Sequence, residues 1–375
     1  MSWRLVESDA QLRRMLALHA GSAAVMVDTE FMRRNTFFPR VALVQLCFDG
    51  PAQGGAWLID PLLLTDPAPL ANLMRDASVT KVLHAPSEDL EVLQHWLGVL
   101  PDPLFDTQRA AALAGRDFGL SYRALVQQIC AVDLPKGETR SDWLQRPLSA
   151  AQCDYAAQDV TWLLQVWRAL EPQCAQRDRL DWVLADGRAA TAAQNGASAE
   201  YYVRIKLAWK LDRRQLGVLR AVCRWREQVA RQRDKPRGWI IDDNACLQLA
   251  QCDARSLPAL QAALDLPPPA LRRYGKALLE VLAAQRRVPD SDLPRALPAP
   301  LDRGQRDWLK KLKQQVQAIA RELEVAPEVL LSGRDCELLL REARGELDEP
   351  PTHWSGWRAE RVIAPLRRTL AGAAP

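Results

Sequence analysis

Strand-forming runs are confined to the front of this chain, and that asymmetry limits its architecture more than any other feature. Residues 23–31 (AAVMVDTEF), residues 41–48 and Ala56–Ile59 read as consecutive strands. Turn material at Asp49-Gly50-Pro51 and Gly54-Gly55 separates the last two. Residues 79–84 and Leu104–Asp106 read as two more strands, now alternating with helical patterns. Ser87 is placed to cap a helix over 88–97 that Gly98 stops, and Asp106 to cap one over 107–115. Ser149 and Gln152 form a capping box for a long helix through about Leu170. A strand meander followed by strand–helix alternation predicts a mixed sheet with helices on its faces. From about residue 175 the pattern turns helical, broken by prolines at 266–269 and 288–300. Flanking the second break is a weak repeat at an offset of 90 residues: Ala230-Arg231 with Ala320-Arg321, Ile240-Ile241 with Leu330-Leu331, Cys246 with Cys336. Asp242 and Ser332, in the same register, are both placed to cap the helix that follows, so two small all-α domains are expected.

At 375 residues the chain exceeds one ordinary domain of roughly 150. Its 48% hydrophobic and 26% charged residues exclude disorder as the main state. No apolar run approaches the ~18 residues of a membrane span, and Met1-Ser2-Trp3-Arg4-Leu5 lacks the layout of a secretory signal. Eight cysteines scattered without a CxxC pair suit a reducing, cytoplasmic setting. With four histidines in the chain, a metal ion would have to be held by carboxylates. The net charge of +4 hides a split: 18 basic against 24 acidic residues over 1–200, and 32 against 22 over 201–375. Residues 204–237 alone carry 12 basic and 3 acidic side chains, as a polyanion-binding surface or a solvated helical face would.

The chemistry is expected from carboxylates. Asp28 and Glu30 flank Thr29 at a strand end, so both acids point to one face of the sheet. Such a pair repels itself unless a cation neutralises it, although an isolated DxE also occurs where a strand runs into solvent. Asp89 stands in the first turn of a helix, where an acid also serves the helix dipole. Glu88 and Glu91 are alternatives to it. Tyr155 and Asp159 are four apart on a helix, hence on one face, among Ala151, Ala156 and Leu163.

Taken together, DTE at 28–30, HAPSEDL at 84–90 and YAAQD at 155–159 resemble the three motifs of the DnaQ-like, or DEDD, 3′→5′ exonucleases of ribonuclease D type. The last motif has Tyr at 155, and Asp at 154 where the other branch places His, which puts the chain in the DEDDy branch. Trp225-Arg226, residues 238–241 and Tyr274-Gly275 resemble the helicase-and-ribonuclease-D C-terminal (HRDC) domain, and residues 305–370 a more divergent copy. The resemblance implies a ribonuclease-H-like α/β exonuclease domain over 1–175, a helical connector over 176–209, and HRDC-type domains over 210–292 and 300–375. It implies two Mg²⁺ or Mn²⁺ ions and no organic cofactor. Asp28 would bridge both ions, Glu30 and Asp159 would complete one site, Asp89 would act through the second ion or its waters, and Tyr155 would orient the attacking water. Hard cations prefer such oxygen ligands.

Further candidates are the substrate contacts Thr29, Phe31 and His84, with Lys136 and Arg140 in a polar loop that Trp143 packs. Arg224, Arg231, Arg233 and Arg237 are candidates for an RNA-binding surface. The expected activity is release of nucleoside 5′-monophosphates from single-stranded 3′ ends of RNA, with tRNA precursors and other small RNAs as substrates and no membrane partner. A DNA 3′→5′ exonuclease, or a non-catalytic nucleic-acid-binding protein on a nuclease fold, are the alternatives.

Overall fold

The computed structural model describes residues 2–50, 55–135, 137–138, 141–196, 201–347 and 349–372. They form two compact units. The first comprises 1–32, 39–195 and 301–375; the second, 33–38 and 196–300.

Six strands make the sheet of the first unit: β1 (Trp3–Val6), β2 (Ala24–Met32), β3 (Arg40–Asp49), β4 (Ala56–Ile59), β5 (Thr80–Leu83) and β6 (Leu104–Asp106). Their order is β1-β4-β3-β2-β5-β6. The β2–β3 and β3–β4 pairs are antiparallel and the other three parallel, so the mixed sheet expected from the sequence is present. Five strands coincide with the expected runs to within a residue or two. Edge strand β1 was not foreseen.

Helices cover both faces. On one side lie α1 (Asp9–Leu18), α2 (Ala68–Arg75) and α3 (Ser87–Leu97), burying Leu12, Leu70 and Leu93 against Val25, Val27 and Val44. On the other lie α4 (Thr107–Leu113), α5 (Tyr122–Cys130), α6 (Ala150–Gln176) and α7 (Leu180–Gly196), packed on Ala24, Met26 and Leu43. β2 therefore sends even-numbered side chains toward α6 and odd-numbered ones toward α3. The capping box at Ser149 and Gln152 is present, and Gly98 ends α3 in the left-handed conformation, φ 69°. Ser87 does not cap α3: Pro86 occupies the N-cap with no side-chain bond, and Ser87 is already helical.

Residues 301–375 contribute α13 (Arg303–Glu322), α14 (Pro327–Leu330), α15 (Gly333–Ala343) and α16 (Ala364–Ala371) to this same unit, once the helices of the second are numbered α8–α12. They share a core with α4–α7 and are keyed to it electrostatically. The buried Asp186 of α7 accepts from Arg358 Nη2 (2.7 Å), from Arg358 Nη1, and from Arg109 Nη2 (2.7 Å) and Nε (3.0 Å). Burial pushes the Asp186 carboxyl up, but the Arg358 and Arg109 guanidiniums outweigh it and hold it below the usual range. Arg109 and Arg358 also donate to the Val329 carbonyl (2.9 and 3.0 Å).

The second unit is built on α8 (Arg213–Arg233), α9 (Arg237–Ile240), α10 (Asp243–Gln251), α11 (Leu257–Ala263) and α12 (Pro268–Gln285). Leu216, Leu219, Ile240, Leu249 and Leu278 form its core. Asp242 and Ser332 cap α10 and α15 as their shared register predicted. The hexapeptide Arg33–Phe38, which follows β2 in sequence, belongs to this unit: Phe37 is 4% exposed in its core. Asp234, the left-handed C-cap of α8, accepts from the Phe37 and Phe38 amides (2.9 and 3.0 Å). No described helix is long and apolar enough to cross a membrane.

Candidate active site

The alternation of β2 assembles the site. Asp28 and Glu30 follow Met26 onto the α6 side, where Asp159 meets them. One ligand oxygen from each of the three lies within 4.8 Å of the others. Thr29 points the opposite way, toward α3, and its hydroxyl donates to Asp89 Oδ1 at 2.5 Å. Just beyond the acids the register slips: Glu30 pairs with Leu43 but Phe31 with Val41, leaving Ala42 as a bulge. The freed Ala42 carbonyl accepts from Arg146 Nη2 (2.6 Å), and Arg146 also pairs with Asp60 and bonds the Trp143 carbonyl (2.8 Å). One arginine thus ties the bulge to the loop that opens α6, the helix of Tyr155 and Asp159.

Asp28, Thr29, Glu30, Phe31, His84, Asp89, Tyr155 and Asp159 line one cavity of about 310 Å³, with Tyr122, Glu88, Ala85 and Leu163. The five catalytic candidates are therefore together, and Glu88 is an exposed rim residue. Thr29 lies behind the acids, orienting Asp89. Both ring nitrogens of His84 are engaged, Nδ1 with Thr107 Oγ1 (3.0 Å) and Nε2 with the Leu120 carbonyl (3.1 Å). Burial lowers its pKa to about 4, so the ring is neutral and Nε2 carries the proton. Lys136 and Arg140 lie outside the described residues. Trp143 is buried and packs 6.1 Å from the Tyr155 ring, as the loop reading expected.

Sequence reasoning missed two residues of this site. The Tyr122 hydroxyl bonds the carbonyls of Asp159 (2.6 Å) and Gln158 (3.1 Å), fixing α6 where its acid projects. Gly137 lies flat on the Tyr155 ring: a Cβ there would stand 2.5 Å from Tyr155 Cδ2, too close for any side chain. A glycine between charged loop residues was the visible signal, but what it faces is set by tertiary packing. Asp106 does more than cap α4, as it also accepts from Ala85 N (3.0 Å) and holds that residue at φ 51° beside the cavity.

The electrostatics say what the cluster needs. Burial, then Asp159, Asp89 and Glu30, push the Asp28 carboxyl well above the carboxylate range. Burial, then Asp159 and Asp89, raise Glu30 to about 9. Burial and Asp89 raise Asp159 to about 7. Burial raises Asp89 to about 6 against the opposing Thr29 bond. Among the described residues no lysine or arginine forms an ion pair with these acids. An all-oxygen donor set of this charge is suited to hard divalent cations, and bound cations would reverse those shifts.

Mixed sheet, paired acids on its central strand, a third acid and a tyrosine on the covering helix: fold and site together define a metal-dependent 3′→5′ exonuclease with helical domains appended. Comparison with known proteins agrees. Residues 3–175 match the family model of a 3′–5′ exonuclease, and residues 215–282 that of the HRDC domain. The chain is similar to ribonuclease D of Pseudomonas paraeruginosa, 41% identical over 98% of this chain and 97% of that one. It is 33% identical to ribonuclease D of Escherichia coli over 99% of each chain. The crystal structure of E. coli RNase D, described as an exoribonuclease involved in structured RNA processing, covers all of both chains with a TM-score of 0.90. The chain belongs to the ribonuclease D family, and it is a hydrolytic 3′→5′ exoribonuclease.

Proposed function

We propose that the chain removes nucleoside 5′-monophosphates one at a time from single-stranded 3′ ends, trimming tRNA precursors and other small RNAs in the cytoplasm with Mg²⁺ or Mn²⁺. The observation that carries this is the three-carboxylate cluster of Asp28, Glu30 and Asp159, backed by Asp89. Two divalent ions held by these four residues would neutralise charge on the attacking and leaving oxygens of the phosphodiester. The protein's own part is positional. Arg146 and Tyr122 fix the elements that carry the acids, and Thr29 aims Asp89. A phenol ionises at about pH 10 in water, far above neutrality, and in the metal-free site burial, then Asp159, Glu30 and Asp28, push Tyr155 further up. We therefore assign it to hydrogen-bonding and orienting the attacking water rather than to taking the proton. Phe31, half-buried on the cavity wall, is placed to pack against the terminal base.

Residues 210–292 are read as the first HRDC domain and 300–375 as a divergent second, with 176–209 connecting. The family-model match at 215–282 and the shared capping register support this. The test is release of mononucleotides from matched RNA and DNA oligomers with Mn²⁺ or Mg²⁺, resolved by chromatography. Stepwise 5′-monophosphates from the RNA 3′ end are expected. Equal or faster cleavage of DNA would overturn the RNA assignment, and no cleavage with either ion would overturn the catalytic one.

A further inference from the structure

The basic stretch over 204–237 is largely spent on the second unit's own structure. Arg226 is buried, donating to the Ile241 carbonyl (3.1 Å) and Asp243 (2.8 Å). Arg231 and Arg237 pair with Glu227, and each stands 4.8 Å from the centroid of Phe37. Arg233 donates to the Tyr274 hydroxyl at 2.9 Å. Arg213, Arg214 and Arg220 bond carbonyls within 288–294. What the unit leaves open to solvent is a different surface.

Trp239 is 63% exposed although its neighbours Ile240 and Ile241 are buried at 3% and 2%, so the turn is anchored from beneath while the indole stands out. Lys235 Nζ lies 5.9 Å from the indole centroid and donates to the Asn35 carbonyl at 3.3 Å. Arg34, the residue before Asn35 in the hexapeptide Arg33–Phe38, is exposed. The hexapeptide is held firmly by Asp234 and by Arg33 Nη2, which donates to the Phe37 carbonyl (2.8 Å). Of the six basic side chains in residues 33–38 and 231–239, Arg33, Arg231, Arg233 and Arg237 are engaged by the Phe37 carbonyl, Glu227 and the Tyr274 hydroxyl, which leaves Arg34 and Lys235 least committed. Beside the ring, Gly238 faces open space: nothing lies within 4 Å of where its Cβ would be.

We propose that Trp239 is a base-stacking platform for single-stranded RNA, with Lys235 and Arg34 as its phosphate contacts. This rests on RNA being the substrate, as proposed above. An exposed, anchored indole with a lysine beside it matches how single strands are gripped without sequence preference, the base on an aromatic face and the backbone on positive charge. A protein-docking surface would instead present contiguous apolar area, which one indole beside a bare glycine does not supply.

The full-length protein is assayed for binding to a fluorescent oligoadenylate in chelator, so that no cleavage intervenes. Trp239→Ala should weaken binding about tenfold to a hundredfold, the range for loss of one stacked base, while Trp239→Phe stays within a few-fold of wild type. The salt dependence should be unchanged in Trp239→Ala. It should be flatter by about 1.4 in slope when Arg34 and Lys235 are both changed to alanine, at about 0.7 per phosphate. Mn²⁺-dependent cleavage of a diadenylate should be untouched in all three, which shows the metal site intact. If wild type binds and cuts RNA while Trp239→Ala binds oligoadenylate as tightly, the platform is refuted and the proposed function stands. An unchanged salt slope in the Arg34/Lys235 variant refutes the phosphate contacts. If wild type neither binds nor cuts RNA, the underlying reading fails first.

Discussion

Adding Mn²⁺ to the metal-free protein at pH 7 should expel protons, and the acid cluster says where they come from. Glu30 is raised to about 9 and Asp159 to about 7, with Asp89 and Asp28 shifted in the same direction, so the metal-free cluster holds at least one proton at pH 7 that its four acids would lack in water. Cations bound by carboxylates require them ionised, so these protons must leave. Isothermal titration with Mn²⁺ in two buffers of different ionisation enthalpy, at one pH, reads the number directly. The apparent affinity should climb with pH near neutrality at a slope equal to that number. The sign for stability follows. These are acids whose folded pKa is raised, so between about pH 4 and 9 the native state binds more protons than the unfolded one. Stability of the metal-free protein should therefore fall as pH rises through that window, and Mn²⁺ should offset the fall. Tight Mn²⁺ binding with no proton release would mean the ions sit elsewhere, and the assignment of Asp28, Glu30 and Asp159 would go with it.

Asp28→Asn should abolish hydrolysis and leave oligoadenylate binding in chelator near wild type; cleavage at the wild-type rate would refute its place at the ions. Tyr155→Phe keeps the ring against Gly137 but removes the hydroxyl, and single-turnover cleavage should slow by about 10² or more with little change in binding. A kinetically silent Phe would make Tyr155 a packing residue. Arg358→Ala removes the main partner of buried Asp186, and urea unfolding should show a loss toward the lower end of roughly 3–5 kcal/mol, since Arg109 remains. A change under about 1 kcal/mol would show that the pairing contributes little to anchoring residues 301–375.

How legible each part was depended on whether its cause was local. The apolar runs of β2 and β3, the capping box at Ser149 and the stop at Gly98 are read from neighbours in the chain, and they are present. The facing of Asp28 and Glu30 followed from strand alternation, and that of Tyr155 and Asp159 from helical spacing. Tertiary causes left no such trace. The bulge at Ala42 depends on the β2–β3 register, and the roles of Tyr122 and Gly137 on how α5 and the preceding loop meet α6. His84 stood inside a catalytic motif, yet both its nitrogens are taken by Thr107 and Leu120, partners far along the chain. Nothing in the composition of residues 33–38 told that Phe37 lies in a core built from residues 200 positions on.

Charge counting is limited for the same reason. A surplus of basic residues predicts a field, but only unpaired, exposed charge is available to a ligand. Over 204–237 most cations already have acceptors inside their own unit: Glu227 serves two arginines, Asp243 another, and the carbonyls of 288–294 three more. Arg231 and Arg237 stabilise the seat of Phe37, so reversing their charge would disturb the fold of the unit before it tested RNA contact. Arg224 is different, exposed and in no ion pair among the described residues, and it is the one of the four candidate arginines whose replacement reports cleanly on the field. Long-range attraction can still draw on the whole surplus, because pairing redistributes charge without removing it. Short-range grip cannot. The residues that hold RNA are therefore to be sought where the unit has left side chains unsatisfied, and a sequence shows the charges but not which of them the fold has already used.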